Sequence, residues 1–142
     1  MKKTFIAMAL VALTACNAKH DNPVLQDSSL PFGAPEFAKY ESTDYEPAFM
    51  EGFEEQRAEI DAIVNNPEAP TFANTILALE ESGALLDKVT TVMYNLLSAH
   101  TNDELEELAQ ELSPVLSEHS SNIMLNEALY LRVKSVMDGG AD

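Results

Sequence analysis

Three histidines and one cysteine are the residues best suited to nucleophilic or metal chemistry in these 142 residues: His20, His100, His119 and Cys16. A zinc-hydrolase helix needs two imidazoles one turn apart, with a glutamate beside the first as general base, in the pattern His-Glu-x-x-His. No two of the three histidines are four residues apart. The inverted order, His-x-x-Glu-His, has a near match at Val115-Leu116-Ser117-Glu118-His119, but valine stands where the first ligand should be. His119 therefore reads as a polar residue on a helix flank. His100 reads as a residue at a helix C-terminus, where the dipole favours a cation. The carboxylate pairs Glu54-Glu55, Glu80-Glu81 and Glu106-Glu107 are sequence neighbours, which point in different directions on a helix. Acid–base catalysis needs two members in contrasting environments. No calcium loop, Gly-x-Ser-x-Gly elbow or glycine-rich phosphate loop is present. The sequence thus offers no catalytic residue and no metal ligand set.

Cys16 is different, because its place matters more than its thiol. A single cysteine makes no internal disulfide. Lys2 and Lys3 precede the apolar run from Phe5 to Leu13, a basic and then a hydrophobic region of leader type. As a helix that run spans about 14 Å, short of the roughly 30 Å of hydrocarbon in a bilayer. It ends in Leu13-Thr14-Ala15-Cys16, which resembles a bacterial lipobox. The resemblance implies a signal peptide at 1–15, cleavage before Cys16 and lipidation of Cys16. Stable anchoring takes more than one acyl chain, and lipoproteins of this pattern carry a diacylglyceryl group. Asn17 is not the aspartate that favours retention at the inner membrane, so a lipid-anchored position in the cell envelope, at the outer membrane, is expected.

The acidic balance excludes another class of partner. There are 24 acidic against 8 basic residues, a formal net charge of -16, so the basic footprint of a nucleic-acid binder is missing. Solubility is the plain role of such charge. The length suits one domain, and a chain of this size buries roughly two thirds of its unfolded surface.

The elements that would carry these residues are helical throughout. After an extended tether over 16–42, rich in proline, the spacing of Phe49, Phe53, Ile60 and Val64 predicts a helix from Thr43. Thr43 and Glu46 have capping-box spacing, and Pro47 is tolerable in a first turn. Pro67 and Pro70 end that helix. Thr71 caps a second with Phe72, Ile76 and Leu79 inward, and Ser82-Gly83 marks a pause. Leu85, Val89, Val92 and Leu96, widened by Leu86, Met93 and Leu97, define a third helix ending near His100. Thr101 and Glu104 repeat the capping spacing for a fourth, through Leu105, Leu108, Leu112 and Leu116, which Pro114 should kink or split. Asn126 caps a fifth with Leu129, Val133 and Val136, and 139–142 is a frayed tail. The expectation is an all-α fold: an antiparallel helical bundle of about five helices over 43–138.

The stretch NNPEAPTFANTILALEESG, residues 65–83, resembles the Asn-Pro-x-x-Pro-Thr-Phe-x-Asn-Thr-Ile…Ala-Leu-Glu-x-Ser-Gly stretch of the M3-family zinc metallopeptidases, which include peptidyl-dipeptidases (dipeptidyl carboxypeptidases) and oligopeptidase A. LPFGAPEF is similar to that family's proline-rich lead-in, and YEPAFMEGFEEQRAEIDAI to its first long helix. The likeness runs over about 30–137; Ala69 and Ala73 depart from it. It implies the N-terminal helical part of such an enzyme, one wall of a channel admitting short peptides. The family's zinc helix and further glutamate ligand lie downstream of this region, so the zinc cofactor and the catalytic portion would be partners rather than parts of these residues. A stand-alone helical lipoprotein, acting as a binding or scaffold module, is the alternative. An enzyme complete within these residues is the weakest reading.

Overall fold

A computed structural model describes residues 22–139; Cys16, His20, the leader and the last three residues lie outside them. The described residues form five longer helices, two single 3-10 turns at Pro31–Gly33 and Phe37–Lys39 within the segment expected as extended tether, and no strand. Helix α1 spans Ser42–Val64, α3 Ala84–Ala99, α4 Asp103–Met124 and α5 Glu127–Gly139. Between α1 and α3 lies α2, which opens as a π-helical stretch, Phe72–Leu77, and continues as Ala78–Glu81.

The helix starts differ from the sequence expectation by one or two residues. The cap of α1 is Glu41, whose backbone N–H donates to the Asp44 carboxylate at 2.8 Å. Thr43 and Glu46 are already inside the helix, so Pro47 sits beyond the first turn. Its ring deprives the Thr43 carbonyl of a partner, which Thr43 tolerates because it is exposed. Asn102, not Thr101, caps α4, its side-chain oxygen accepting from Leu105 N–H at 2.8 Å. Helix α4 then runs through Pro114 without splitting. The carbonyl freed there belongs to Gln110, on the solvent side. Thr71 and Asn126 cap α2 and α5 as the sequence suggests, accepting from Asn74 N–H at 3.1 Å and Leu129 N–H at 3.0 Å.

Helices α1 and α3 pack closest. Gly52, in the middle of α1, makes this possible: a Cβ there would meet the Leu86 Cα at 2.9 Å. Gly52 meets Leu86, and Gln56, four residues further along α1, donates to the Ser82 carbonyl, four residues earlier in the chain than Leu86, so the two helices run antiparallel. Helix α4 returns beside α1 in the same direction. Ser42 pairs with Asn102 at one end, and Gln56 with His119 further along. The expected antiparallel arrangement therefore holds for α1 and α3, while α1 and α4 are parallel, as an up-down-up path requires.

The main core gathers Tyr45, Phe49 and Phe53 of α1, Leu86, Val89 and Met93 of α3, and Leu105 and Leu112 of α4. Fully burying one such side chain contributes about 1.5–3 kcal/mol. Val24, in the segment expected as tether, is also in this core at 1% exposure. It is held by the Asn22 side chain, which accepts from Val24 N–H at 2.9 Å and donates to the Asp44 carbonyl at 2.7 Å. Lys88 donates to the Gln26 carbonyl at 2.8 Å. An apolar residue and two polar staples thus lay the start of the described chain against the helices. A second cluster, Ile60, Ile63 and Leu129, joins the end of α1 to α5, with Leu79 and Ile123 packed on it. Phe72, expected inward on α2, is half exposed, and Thr75 is buried instead. A π-helical turn bonds i to i+5, so it shifts the phase of the inward face from that of an α-helix.

Candidate functional site: the cleft between α1 and α4

Helical spacing puts Met50, Phe53, Arg57, Ile60 and Asp61 on one side of α1. Val115, Glu118, His119, Asn122 and Ile123 face them from α4. Between them the two helices leave an open cleft of about 360 Å³ with Phe53 and Ile60 on its floor.

His119 is its central titratable group. Its ring lies 4.9 Å from that of Phe53, centroid to centroid. Its Nε2 is 2.8 Å from Gln56 Oε1; the amide oxygen accepts, so Nε2 carries the proton. The Gln56 amide nitrogen turns toward the Ser82 carbonyl at 3.5 Å. Burial, and then the charge of Arg57, hold the His119 pKa below its ordinary value. The ring is therefore neutral at pH 7, donating from one nitrogen.

Gln56 has a second constraint. Gly83 adopts φ +78°, a left-handed turn, and a Cβ on it would run into the Gln56 side chain at 2.2 Å. Glu59 Oε2 accepts from Gly83 N–H at 2.7 Å. Two side chains of α1 thus clasp the turn before α3 while one of them orients His119. Sequence reasoning named His119 and the Ser82-Gly83 pause but missed Gln56 and Glu59; both lie within YEPAFMEGFEEQRAEIDAI, but no spacing rule singles them out there.

The other residues singled out in the sequence are dispersed. His100 ends α3, its backbone N–H donating to the Leu96 carbonyl at 2.7 Å, and its side chain is exposed. Glu54-Glu55, Glu80-Glu81 and Glu106-Glu107 are all exposed. Val115 lines the cleft and offers no ligand atom. Among the described residues no group of three or more His, Cys, Asp or Glu is placed to hold a metal ion. Those lining the cleft do not fit zinc either: the ring nitrogen of His119 on the Gln56 side is already bound, and Arg57 brings a positive charge beside it. What the cleft can do is join helices and present a small, partly apolar recess. No described helix is long and apolar enough to cross a membrane.

An all-helical segment whose cleft histidine, His119, is engaged in packing is the class that fold and cleft define. No protein-family model matches the chain. Over 115 residues it is 51% identical to the dipeptidyl carboxypeptidase of Salmonella typhimurium and 50% identical to that of Escherichia coli. It is 27% identical over 118 residues to oligopeptidase A of Escherichia coli. Across the matched residues, the chain is a homologue of the M3 peptidases. The match takes in 81% of this chain but spans only 17% of the length of either dipeptidyl carboxypeptidase.

Proposed function

We propose that these residues are the N-terminal helical part of a cell-envelope zinc metallopeptidase that hydrolyses short peptides, releasing dipeptides from their C-termini. In this reading α1 to α5 form part of a channel wall and contribute shape. Zinc, acting as Lewis acid and activator of water, belongs to a portion outside these residues. The single observation that carries the reading is the 51% identity to a protein named dipeptidyl carboxypeptidase over four fifths of the chain. A reading frame encoding His-Glu-x-x-His in the DNA downstream supports it; turnover of a short peptide by the purified 142-residue chain, abolished by a chelator, overturns it.

Attachment to the membrane is part of the same proposal and rests on Leu13-Thr14-Ala15-Cys16. Growth with radiolabelled palmitate should mark the chain, and Cys16→Ser should remove the label. Label retained in Cys16→Ser excludes this anchor.

One observation favours the second reading, a stand-alone binding or scaffold module. The main core is closed, with Tyr45, Phe49, Met93 and Leu105 all at most 2% exposed. Under that reading the full chain sediments as a monomer and melts cooperatively with no partner. Aggregation or an uncooperative melt argues for a part of a larger body.

A further inference from the structure

Phe32 stands in water with its whole side chain exposed, at 107%, on the segment that leads into α1. Leu30 and Phe37, on the same segment, are exposed at 45% and 40%. The Phe32 backbone is left-handed, with φ 61°, a region that bulky side chains rarely adopt. Hydrogen bonds across the loop hold it there. Gly33 N–H donates to the Leu30 carbonyl at 3.2 Å, Ser28 Oγ to the Ala34 carbonyl, and Ser29 Oγ to the Glu36 carboxylate. A strained backbone kept in place by its surroundings points to a use for the side chain it displays.

The two ends of this segment fix where the loop sits. Asn22 donates to the Asp44 carbonyl in the first turn of α1. Tyr40 packs edge-on to Tyr45, the next residue of α1, and its hydroxyl accepts from Glu36 N–H at 3.1 Å. Asn22 and the loop are thus both tied to the start of α1. Six residues separate Asn22 from Cys16, and fully extended they reach about 20 Å. Helix α1 alone is about 35 Å long. A lipid on Cys16 therefore keeps the start of α1 within reach of the bilayer, while the far end of the helix is free to stand off. Charge agrees with this. From Leu30 to Phe37 the one ionisable side chain is Glu36, and Lys39 pairs with it. The loop is neutral in a chain of net charge -16, so entering a lipid surface buries no unpaired charge. The acidic groove of Glu104 and Glu107 lies on the α4 side, whereas the loop lies on the α3 side, with Phe37 beside Leu96 and Ala99.

From these observations we infer that the loop carrying Leu30, Phe32 and Phe37 enters the interface of the bilayer that holds Cys16, as a second point of attachment. The inference rests on the lipid anchor given under Proposed function. It goes beyond the anchor by naming the part of the folded chain that touches lipid, and with it the end that faces the membrane. Apolar side chains gain free energy on leaving water at the headgroup boundary, and anchoring is firmer when a second signal accompanies the acyl chains.

Tryptophan fluorescence tests it, because the chain has no tryptophan of its own. The full chain carrying Phe32→Trp is purified with its lipid and reconstituted into phosphatidylcholine vesicles. Its emission should shift to the blue relative to the same variant with Cys16→Ser in buffer, and should lose intensity when the acyl chains carry bromine. Leu30→Trp gives a second reporter on the loop should the first fail to fold, as judged by circular dichroism. Leu125→Trp is the control. It follows α4, about 33 Å of helix from Asn102, which pairs with Ser42 at the start of α1. Its emission should stay red and unquenched. Mass spectrometry of the Cys16 peptide reads the anchor separately, and an unmodified Cys16 overturns the anchor and the contact together. A lipidated chain whose loop reporters stay red and unquenched overturns the contact alone. Equal quenching at Leu125→Trp also overturns it, since the contact then has no place on the molecule. Blue emission from the Cys16→Ser form in buffer overturns it by showing that protein, not lipid, covers Phe32.

Discussion

Two single residues carry physical tension that a measurement can read. Tyr45 is completely buried and its hydroxyl has no hydrogen-bond partner. Burial, then the proximity of Tyr40 and Asp44, pushes its pKa up to about 12, so the phenol stays neutral. Its ring packs edge-on to Tyr40 at 6.5 Å. The Tyr45→Phe change keeps the ring and removes an unpaired polar atom, so stability should hold or rise by up to about 1 kcal/mol. Tyr45→Ala should cost about 3–5 kcal/mol through the cavity it leaves. Urea melts of the pair give both numbers, and a loss in Tyr45→Phe would mean the hydroxyl has a partner after all. His119 supplies a pH dependence. Its folded pKa lies below the ordinary 6.5, so the folded state binds fewer protons than the unfolded chain in that region. The stability it contributes is complete above 6.5 and is lost as pH falls through the lowered folded value. Melting temperature should therefore fall as the pH drops below about 6.5. His119→Gln should flatten that part of the profile. An identical slope in the variant would assign the effect to other groups.

At the scale of the element, the helices were legible in the sequence and their ends were less so. The apolar period located α1, α3, α4 and α5 because their inward faces follow the spacing of an α-helix. Cap residues were harder. Thr43 and Glu41, or Thr101 and Asn102, are rival caps within two residues, and tertiary contact decides between them. The Asn102 amide nitrogen donates to Ser42 Oγ at 3.0 Å, tying the start of α4 to that of α1. Asn102→Ala should therefore cost about 1 kcal/mol, while Thr101→Ala should change stability far less. Equal losses would return the cap to the residue the sequence suggested. Of the α2 residues expected inward, Leu79 does pack on the second cluster and Phe72 does not, because no period marks a π-helical stretch, whose phase buries Thr75. Gly52 shows the opposite limit of sequence reading. Glycine inside a helix costs about 1 kcal/mol against alanine by propensity alone, which makes Gly52→Ala attractive on paper. The 2.9 Å approach to Leu86 Cα reverses the sign, since a new methyl must part α1 from α3. A net loss of about 1–3 kcal/mol is expected in denaturant melts.

For the whole molecule, the candidate site was legible only in outline, and its electrostatics only in total. Composition gave the charge of -16; the structure shows where it concentrates. Glu104, Glu107 and Glu111 of α4 share a shallow groove with Glu46 of α1, directly beside the pairing of Ser42 with Asn102. Because α1 and α4 run parallel, their N-termini lie together, and both helix dipoles favour the nearby acids while the acids repel one another. Salt weakens exposed charge interactions beyond a screening length of about 10 Å at 0.1 M. Dipole and cap contacts act at shorter range, so screening should relieve repulsion more than it removes attraction. The melting temperature should consequently rise as sodium chloride goes from about 10 to 500 mM. Glu107→Lys should raise stability at low salt by about 0.2–1 kcal/mol and reduce the salt dependence. If stability instead falls with salt and Glu107→Lys is destabilising, the dipole and cap interactions dominate this end of the molecule.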